Sequence, residues 1–204
     1  MKDNKGFTLI ELIAVVVILA VIMTLAIPNI VSTINRNKKE TFIEDAKKFQ
    51  ASAEYMIIND RSLQLPSTTS ALILTLEEVD KSALEVSPYS TNYSKTKSYV
   101  VVTKESKSID VDDGTGRKNK NLNEYTFYVH LVTCTKDNCV GDDVNKRYGI
   151  NLQRVDTLVD NNRYEAVVQA AEVDVLGLDN DDAKANILEV IGNKTLVIPS
   201  TNTN

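Results

Sequence analysis

Two hydrophobic patterns follow one another along the first 60 residues, and the first is apolar on every side. From Phe7 to Asn35 the chain has 29 residues, and Glu11 is the only charged one. At about 1.5 Å per residue, the stretch from residue 7 to residue 27 spans roughly 30 Å, the thickness of a bilayer's hydrocarbon core. The sequence therefore predicts a helix that can cross a membrane once.

The second pattern is a single apolar stripe. Charged residues separate apolar positions that recur at spacings of three, four or multiples of them, which predicts an amphipathic helix. The stripe consists of Ile34, Ile43, Ala46, Phe49, Ala53 and Ile57. One helix of roughly 53 residues should therefore run to about Asn59, and its second half must pack on another part of the protein.

A loop and a short helix are expected next. Residues 61–69 contain Pro66 and a Ser/Thr cluster, which is typical of a loop. Thr75 and Glu78 have the spacing of a capping box, which predicts a short helix from there to about Leu84.

From Tyr99 onward the pattern changes to strands. β-Branched and aromatic residues dominate several short runs, which is typical of strands. The runs are residues 99–103, 125–132, 147–155, 163–170 and 194–198. The polar segment Asp110 to Asn123 predicts an exposed loop between the first two. Residues 181–191 are expected to form a helix, with a strand as the alternative.

These elements predict an α+β fold. The long N-terminal helix has a membrane-spanning first half, and its second half packs on one face of an antiparallel β-sheet head. Formal net charge is -5, which argues against nucleic acid as a partner. The chain has one His (His130) and two Cys, so the residues for a His-based catalytic site or a zinc site are nearly absent. We therefore expect no enzyme activity, no cofactor and no metal, and His130 is expected to be a strand residue.

The residues before Gly6 form a short polar leader. Lys2, Lys5 and the terminal amine make it positive, so the positive-inside tendency places it in the cytoplasm and the bulk of the chain outside. A secretory signal peptide has a small-residue cleavage site after its apolar run. No such site follows the apolar run of this sequence. A cut at Gly6 would leave the apolar helix attached.

Residues 5–11 read Lys-Gly-Phe-Thr-Leu-Ile-Glu, and the apolar run and Pro28 follow them. This segment resembles the N-terminal class III signal of type IV pilins and pseudopilins, and the resemblance extends over about residues 5–60. It implies that a membrane peptidase cuts after Gly6 and that Phe7 becomes the N-methylated terminus. It also implies that Glu11 is the signature residue of the segment and that the helix is broken near Pro28.

The implied protein is a structural subunit of a type IV pilus-like filament. Its domains would be a leader (1–6), a transmembrane and filament-core helix (7–35), the amphipathic half of that helix (36–60) and an extracellular head (61–204). Its partners would be membrane lipid before assembly, the prepilin peptidase, the pilus assembly machinery, and identical or related pilin subunits. The alternatives are a pseudopilin of a type II secretion or competence system and a membrane-anchored binding domain that never polymerises.

Glu11 lies inside the apolar run, where a carboxylate is costly. One interpretation places it at the level of the lipid headgroups. The other gives it a functional partner: the α-amine that cleavage creates on Phe7 of a neighbouring subunit, because the run of its own chain offers no charged partner.

Cys134 and Cys139 enclose a turn-forming tetrapeptide at the end of a predicted strand, so their thiols can meet across a hairpin or loop. In an exported domain they would form a disulfide. Reduced thiols and a metal site with His130 are the alternatives. Many type IV pilins have a disulfide near the C-terminus, so this mid-chain pair differs from that pattern.

Two Asp-rich segments have calcium as an alternative ligand. Residues 110–114 would start an EF-hand-like loop, but Asn121 stands where that loop needs Glu. Residues 179–182 are expected to start a helix. The basic residues 117–120 lack interleaved aromatic residues, so a loop surface is expected there instead of a nucleic-acid site.

Overall fold

The structure is a computed structural model. It describes residues 6–79, 84, 86–112, 117–136, 138–158 and 162–199, with the backbone alone at 107–112 and 117–123. The chain divides into two compact units, Met1–Lys38 and Lys39–Asn204.

Helix α1 comprises Leu9–Asn59, which confirms the predicted end of the long helix. Its buried residues all lie in the second half, and most of them are the predicted apolar stripe. Phe42 is fully buried beside Ile43 and extends the stripe by one position, whereas Ile34 is 47% exposed. Pro28 lies inside α1, and helical residues continue on both sides of it.

Among the described residues, seven strands form one sheet. They are β1 (Ser70–Thr75), β2 (Asn92–Tyr93), β3 (Tyr99–Asp112), β4 (Arg117–Cys134), β5 (Tyr148–Gln153), β6 (Val168–Gln169) and β7 (Thr195–Val197). The order across the sheet is β6-β5-β4-β3-β1-β7, and β2 pairs with β4. The pairs are antiparallel except that of β1 with β7, which is parallel and departs from the expected antiparallel sheet.

Strand β1 is not predicted by the pattern of apolar and polar residues. Its apolar residues 71–74 are consecutive and all buried, so they show no alternation of period two. The reason is its position between β3 and β7 in a sheet that is covered on both faces.

Both faces of the sheet bury apolar side chains. Leu72 and Leu74 of β1 pack in one cluster with the stripe of α1, as expected for the face that the long helix covers. Ala71 and Ile73 point the other way and pack with Ile187 of helix α3 (Asp181–Ile191). The helix expected at 181–191 is therefore confirmed, and it covers the second face, which the one-sided arrangement expected from the sequence leaves bare.

The predicted loop at 110–123 is wrong in its described part. Strands β3 and β4 pair without interruption from Tyr99↔His130 to Asp112↔Arg117, and residues 113–116 lie outside the description. Beyond Thr103, strand β3 pairs only with β4 among the described residues. The residues of β3 in this part, 104–112, are mostly polar. Ladder hydrogen bonds extend the strands where no apolar periodicity marks them.

The short elements follow local hydrogen bonds. Helix α2 (Leu76–Val79) starts at the predicted capping box, where the Thr75 backbone N–H donates to Glu78 Oε2 at 2.7 Å. The strand expected at 163–170 is reduced to β6. Tyr164 instead lies in a turn, and its hydroxyl donates to Glu40 Oε2 at 3.0 Å.

Candidate functional site

The apolar N-terminal segment exposes its side chains all round. Its large apolar residues from Leu9 to Ile34 are each about half exposed or more, and Phe7 is 90% exposed. This stretch belongs to a helix that is long and apolar enough to cross a membrane. Exposed apolar area of this extent is unfavourable in water, so another apolar environment must cover it.

The few hydroxyl groups of this segment are satisfied by their own helix. Thr24 Oγ1 donates to the Ala20 carbonyl at 2.8 Å, and Ser32 and Thr33 donate to the Asn29 carbonyl, each at 2.9 Å. In hydrocarbon an unsatisfied polar group is costly, and these internal bonds remove that cost. These three hydroxyl groups therefore do not oppose placement of the segment in lipid.

Glu11 is hydrogen-bonded to Thr8, one residue before the start of α1. Its Oε2 accepts from the Thr8 backbone N–H at 2.9 Å and from the Thr8 hydroxyl at 2.7 Å. The Glu11 N–H returns toward Thr8 Oγ1 at 3.4 Å, so the pair forms a capping box. The sequence prediction missed this contact, although the same Thr-x-x-Glu spacing is present at Thr75 and Glu78.

Gly6 directly precedes Phe7 and lies outside α1, which starts at Leu9. A Cβ atom added at Gly6 would meet no atom of the described residues within 4 Å.

Cys134 and Cys139 form a disulfide with their Cα atoms 5.2 Å apart, as the sequence analysis expected for an exported chain. The Arg147 side chain stabilises the loop that follows Cys139 through hydrogen bonds. Its Nε donates to both carboxylate oxygens of Asp142 at 3.1 Å, and its Nη2 donates to the Cys139 carbonyl at 3.2 Å. The Asp142 carboxylate is fully buried, and no sequence signal pointed to this pair.

The described residues give little support to the alternative interpretations that include a metal ion. Within them, Cys134, Cys139 and Asp142 are the only group of three metal-ligating side chains close together, and the two thiols are bonded to each other. Asp110 and Asp112 lie on β3, not in a loop. Asn180 caps α3 by accepting from the Asp182 N–H at 2.7 Å, so the second Asp-rich segment starts a helix as expected.

His130 lies on β4, as expected, and is 1% exposed. Its ring is 4.7 Å from the ring of Tyr99, and neither ring nitrogen makes a well-formed hydrogen bond with a described residue. Burial lowers the pKa of His130 from 6.5 to about 4, against the opposing influence of the nearby Asp174 carboxylate. The imidazole is therefore neutral at neutral pH.

Comparisons with known proteins bear on the N-terminus alone. Residues 1–27 match a family model described as the prokaryotic N-terminal methylation motif. Comparison with curated proteins and with solved structures finds no match. The chain therefore carries a prokaryotic N-terminal methylation motif, which supports its place in the type IV pilin and pseudopilin family.

Proposed function

We propose that the chain is the structural, non-catalytic subunit of a type IV pilus-like filament. Residues 1–6 are a leader that a prepilin peptidase removes, and residues 7–35 form the helix that spans the membrane and later lies in the filament core. Residues 36–60 are its amphipathic half, and residues 61–204 are the extracellular head. The subunit is membrane-held before assembly and lies at the cell surface afterwards.

One observation carries this proposal: an apolar helix exposed on every side begins within the methylation motif at residues 1–27 and continues beyond it. Such a helix avoids water either in lipid or among helices of the same kind. Because both environments are apolar, a subunit can move from the membrane into a filament without exposing the helix to water. Assembly is then an exchange of one apolar environment for another.

Gly6 and Phe7 are the processing residues of this proposal. The peptidase cuts after Gly6, and the new α-amine of Phe7 is N-methylated. Support comes from the position of Gly6 before the start of α1 and from the open space around it among the described residues. Cleavage leaves the apolar helix intact and adds a positive charge at its start.

Glu11 is the assembly residue of this proposal. Glu11 has two hydrogen-bond partners within its own chain, the backbone N–H and the hydroxyl of Thr8. Both partners are neutral donors, so they satisfy the carboxylate oxygens without compensating the charge. A cationic Phe7 amine on a staggered neighbour supplies the opposite charge that an apolar filament core requires.

The experiment separates the charge of Glu11 from its cap. Glu11→Gln keeps an oxygen that can accept from Thr8 and removes the charge, Glu11→Ala removes both, and Thr8→Val removes the capping hydroxyl alone. We expect both Glu11 variants to insert in the membrane and to lower filament yield by more than about tenfold, because the amine is left unpaired. Thr8→Val should lower it less.

The measurement is the yield of sheared filaments relative to total membrane-held subunit. Head folding serves as the control and should be unchanged in all three variants. Filament yield at the wild-type level from Glu11→Gln, together with a low yield from Glu11→Ala, would show that Glu11 acts as a helix cap and would refute the charge pairing.

The N-terminal features are shared by a pseudopilin of a type II secretion or competence system, so filament length separates that function from a surface pilus. A bitopic binding domain that never polymerises is separated by its N-terminus, since it would keep residues 1–6 on the chain.

A further inference from the structure

A cavity of about 410 Å³ lies on the α3 side of the sheet, between α3, β5 and the segment at 171–174. Its size is within the range of small-molecule sites. Its charged lining residues are Glu172, Asp174 and Glu189, and no Lys, Arg or His is among the described residues that line it. The cavity therefore has an acidic lining without an internal counter-charge.

Tyr99 supplies the second, independent feature. It is 1% exposed, it lines the cavity, and its hydroxyl makes no hydrogen bond with any residue in the described part of the chain. The hydroxyl is not one of the fully buried atoms that lack a partner, so it is accessible from the cavity, where a ligand can form a hydrogen bond with it. The protein loses no internal bond when that ligand arrives.

The titratable groups Tyr99 and His130 carry no positive charge that would repel a cation in the cavity. Burial raises the pKa of Tyr99, and the Asp174 carboxylate adds to that effect, so the hydroxyl stays neutral. His130, whose ring contacts Tyr99, is also neutral at neutral pH.

Asp174 is held in place, because its Oδ1 accepts from the Leu176 N–H at 2.9 Å. Its Oδ2 has only a long contact of 3.4 Å to Asn186.

We propose that this cavity binds an alkylammonium group, with the ammonium between the Asp174 carboxylate and the Tyr99 hydroxyl and the alkyl chain against Leu152, Ile187 and Val190. A bare metal ion fits less well, because these carboxylates do not converge: among the described residues the close ligand group is the one at Cys134, Cys139 and Asp142. The ammonium can belong to a free amine or to a lysine side chain of another protein. The proposal does not depend on filament assembly.

Binding is tested on the full chain in detergent at neutral pH. Pentane-1,5-diamine represents a free amine, and Nα-acetyl-lysine methylamide represents a protein-borne lysine. Nα-acetyl-norleucine methylamide has the same alkyl chain without the ammonium and is the matched control ligand. Ligand-observed saturation-transfer NMR gives the dissociation constants.

We expect millimolar or tighter binding of at least one amine and none of the norleucine compound. Binding of the diamine alone identifies a free amine as the ligand, and binding of the lysine compound as well admits a side chain. The proposal is overturned if neither amine binds in the millimolar range or if the norleucine compound binds equally well.

Two variants locate the site. Tyr99→Phe removes a hydroxyl that has no partner in the protein, and it should weaken amine binding about tenfold. Glu189→Gln, at an exposed position of the rim, should weaken it about threefold. Tyr55→Phe and Glu77→Gln, both exposed and outside the cavity, are the controls. Unchanged affinity in both Tyr99→Phe and Glu189→Gln would overturn the proposal even if the amines bind elsewhere.

Discussion

The two halves of α1 have the same backbone structure and opposite exposure. Ile18 in the first half is 59% exposed, whereas Phe42 and Ile43 in the second half are fully buried. The difference follows from the arrangement of apolar residues: a stripe can be covered by one sheet face, but a helix that is apolar all round needs neighbours on every side. The first half therefore needs an apolar environment that the described part of the chain does not supply, and the second half is part of the core against the sheet.

Truncation of a buried side chain in the second half of α1 should have the largest effect on the free energy of unfolding, and a similar truncation in the first half should have none. Phe42→Ala removes a fully buried ring that contacts Tyr89 and Tyr93, and we expect it to lower the free energy of unfolding of the head by roughly 3 to 5 kcal/mol. Val16→Ala, at a residue 57% exposed, should leave that free energy unchanged. Urea unfolding of the full chain in detergent, followed by circular dichroism, measures both.

Equal destabilisation by Phe42→Ala and Val16→Ala would contradict the division of α1, because it would mean that residue 16 also contributes to the core of the head.

Acid should act on the head through His130. Its folded pKa is lowered to about 4 from 6.5, so the neutral form stabilises the fold above pH 6.5, and this contribution is lost as the pH falls from 6.5 through 4. The full loss is about 3 kcal/mol. His130→Leu lacks the group and should show a shallower fall of stability over this interval, measured by urea unfolding at several pH values. Identical pH slopes in the two proteins would show that His130 does not titrate in this way.

The disulfide should have the smallest effect of the three. Cys134→Ser opens a loop of about six residues, which should cost about 2 kcal/mol of head stability and leave the fold intact. A reductant should lower the stability of the wild type by a similar amount and should not affect the variant. Two alkylatable thiols in native, unreduced protein would show that the bond is absent from the exported chain.

The sequence predicts those features whose signal is local. The end of α1 at Asn59, the capping box at Thr75 and the helix at 181–191 follow from periodicity and caps, and the structure has all three. Strand β1 was missed because burial on both faces removes alternation. The Asp142–Arg147 pair depends on how a loop folds back, which spacing alone does not indicate.

Thr8 is a different kind of omission. The Thr-x-x-Glu spacing of Thr8 and Glu11 is present in the sequence, and it predicts the local bond that the structure has. Because Glu11 both carries a charge and caps α1, Glu11→Ala removes both properties, whereas Glu11→Gln removes only the charge.

The most direct measurement is the N-terminal residue of the chain in filaments sheared from the cell surface, determined by mass spectrometry of the N-terminal peptide. We expect the chain to be present in this material, to begin at Phe7 and to carry a methyl group on its α-amine. Surface filaments in which residues 1–6 are retained, or a chain that occurs in the membrane fraction and never in filaments, would contradict the proposal that it is a processed filament subunit.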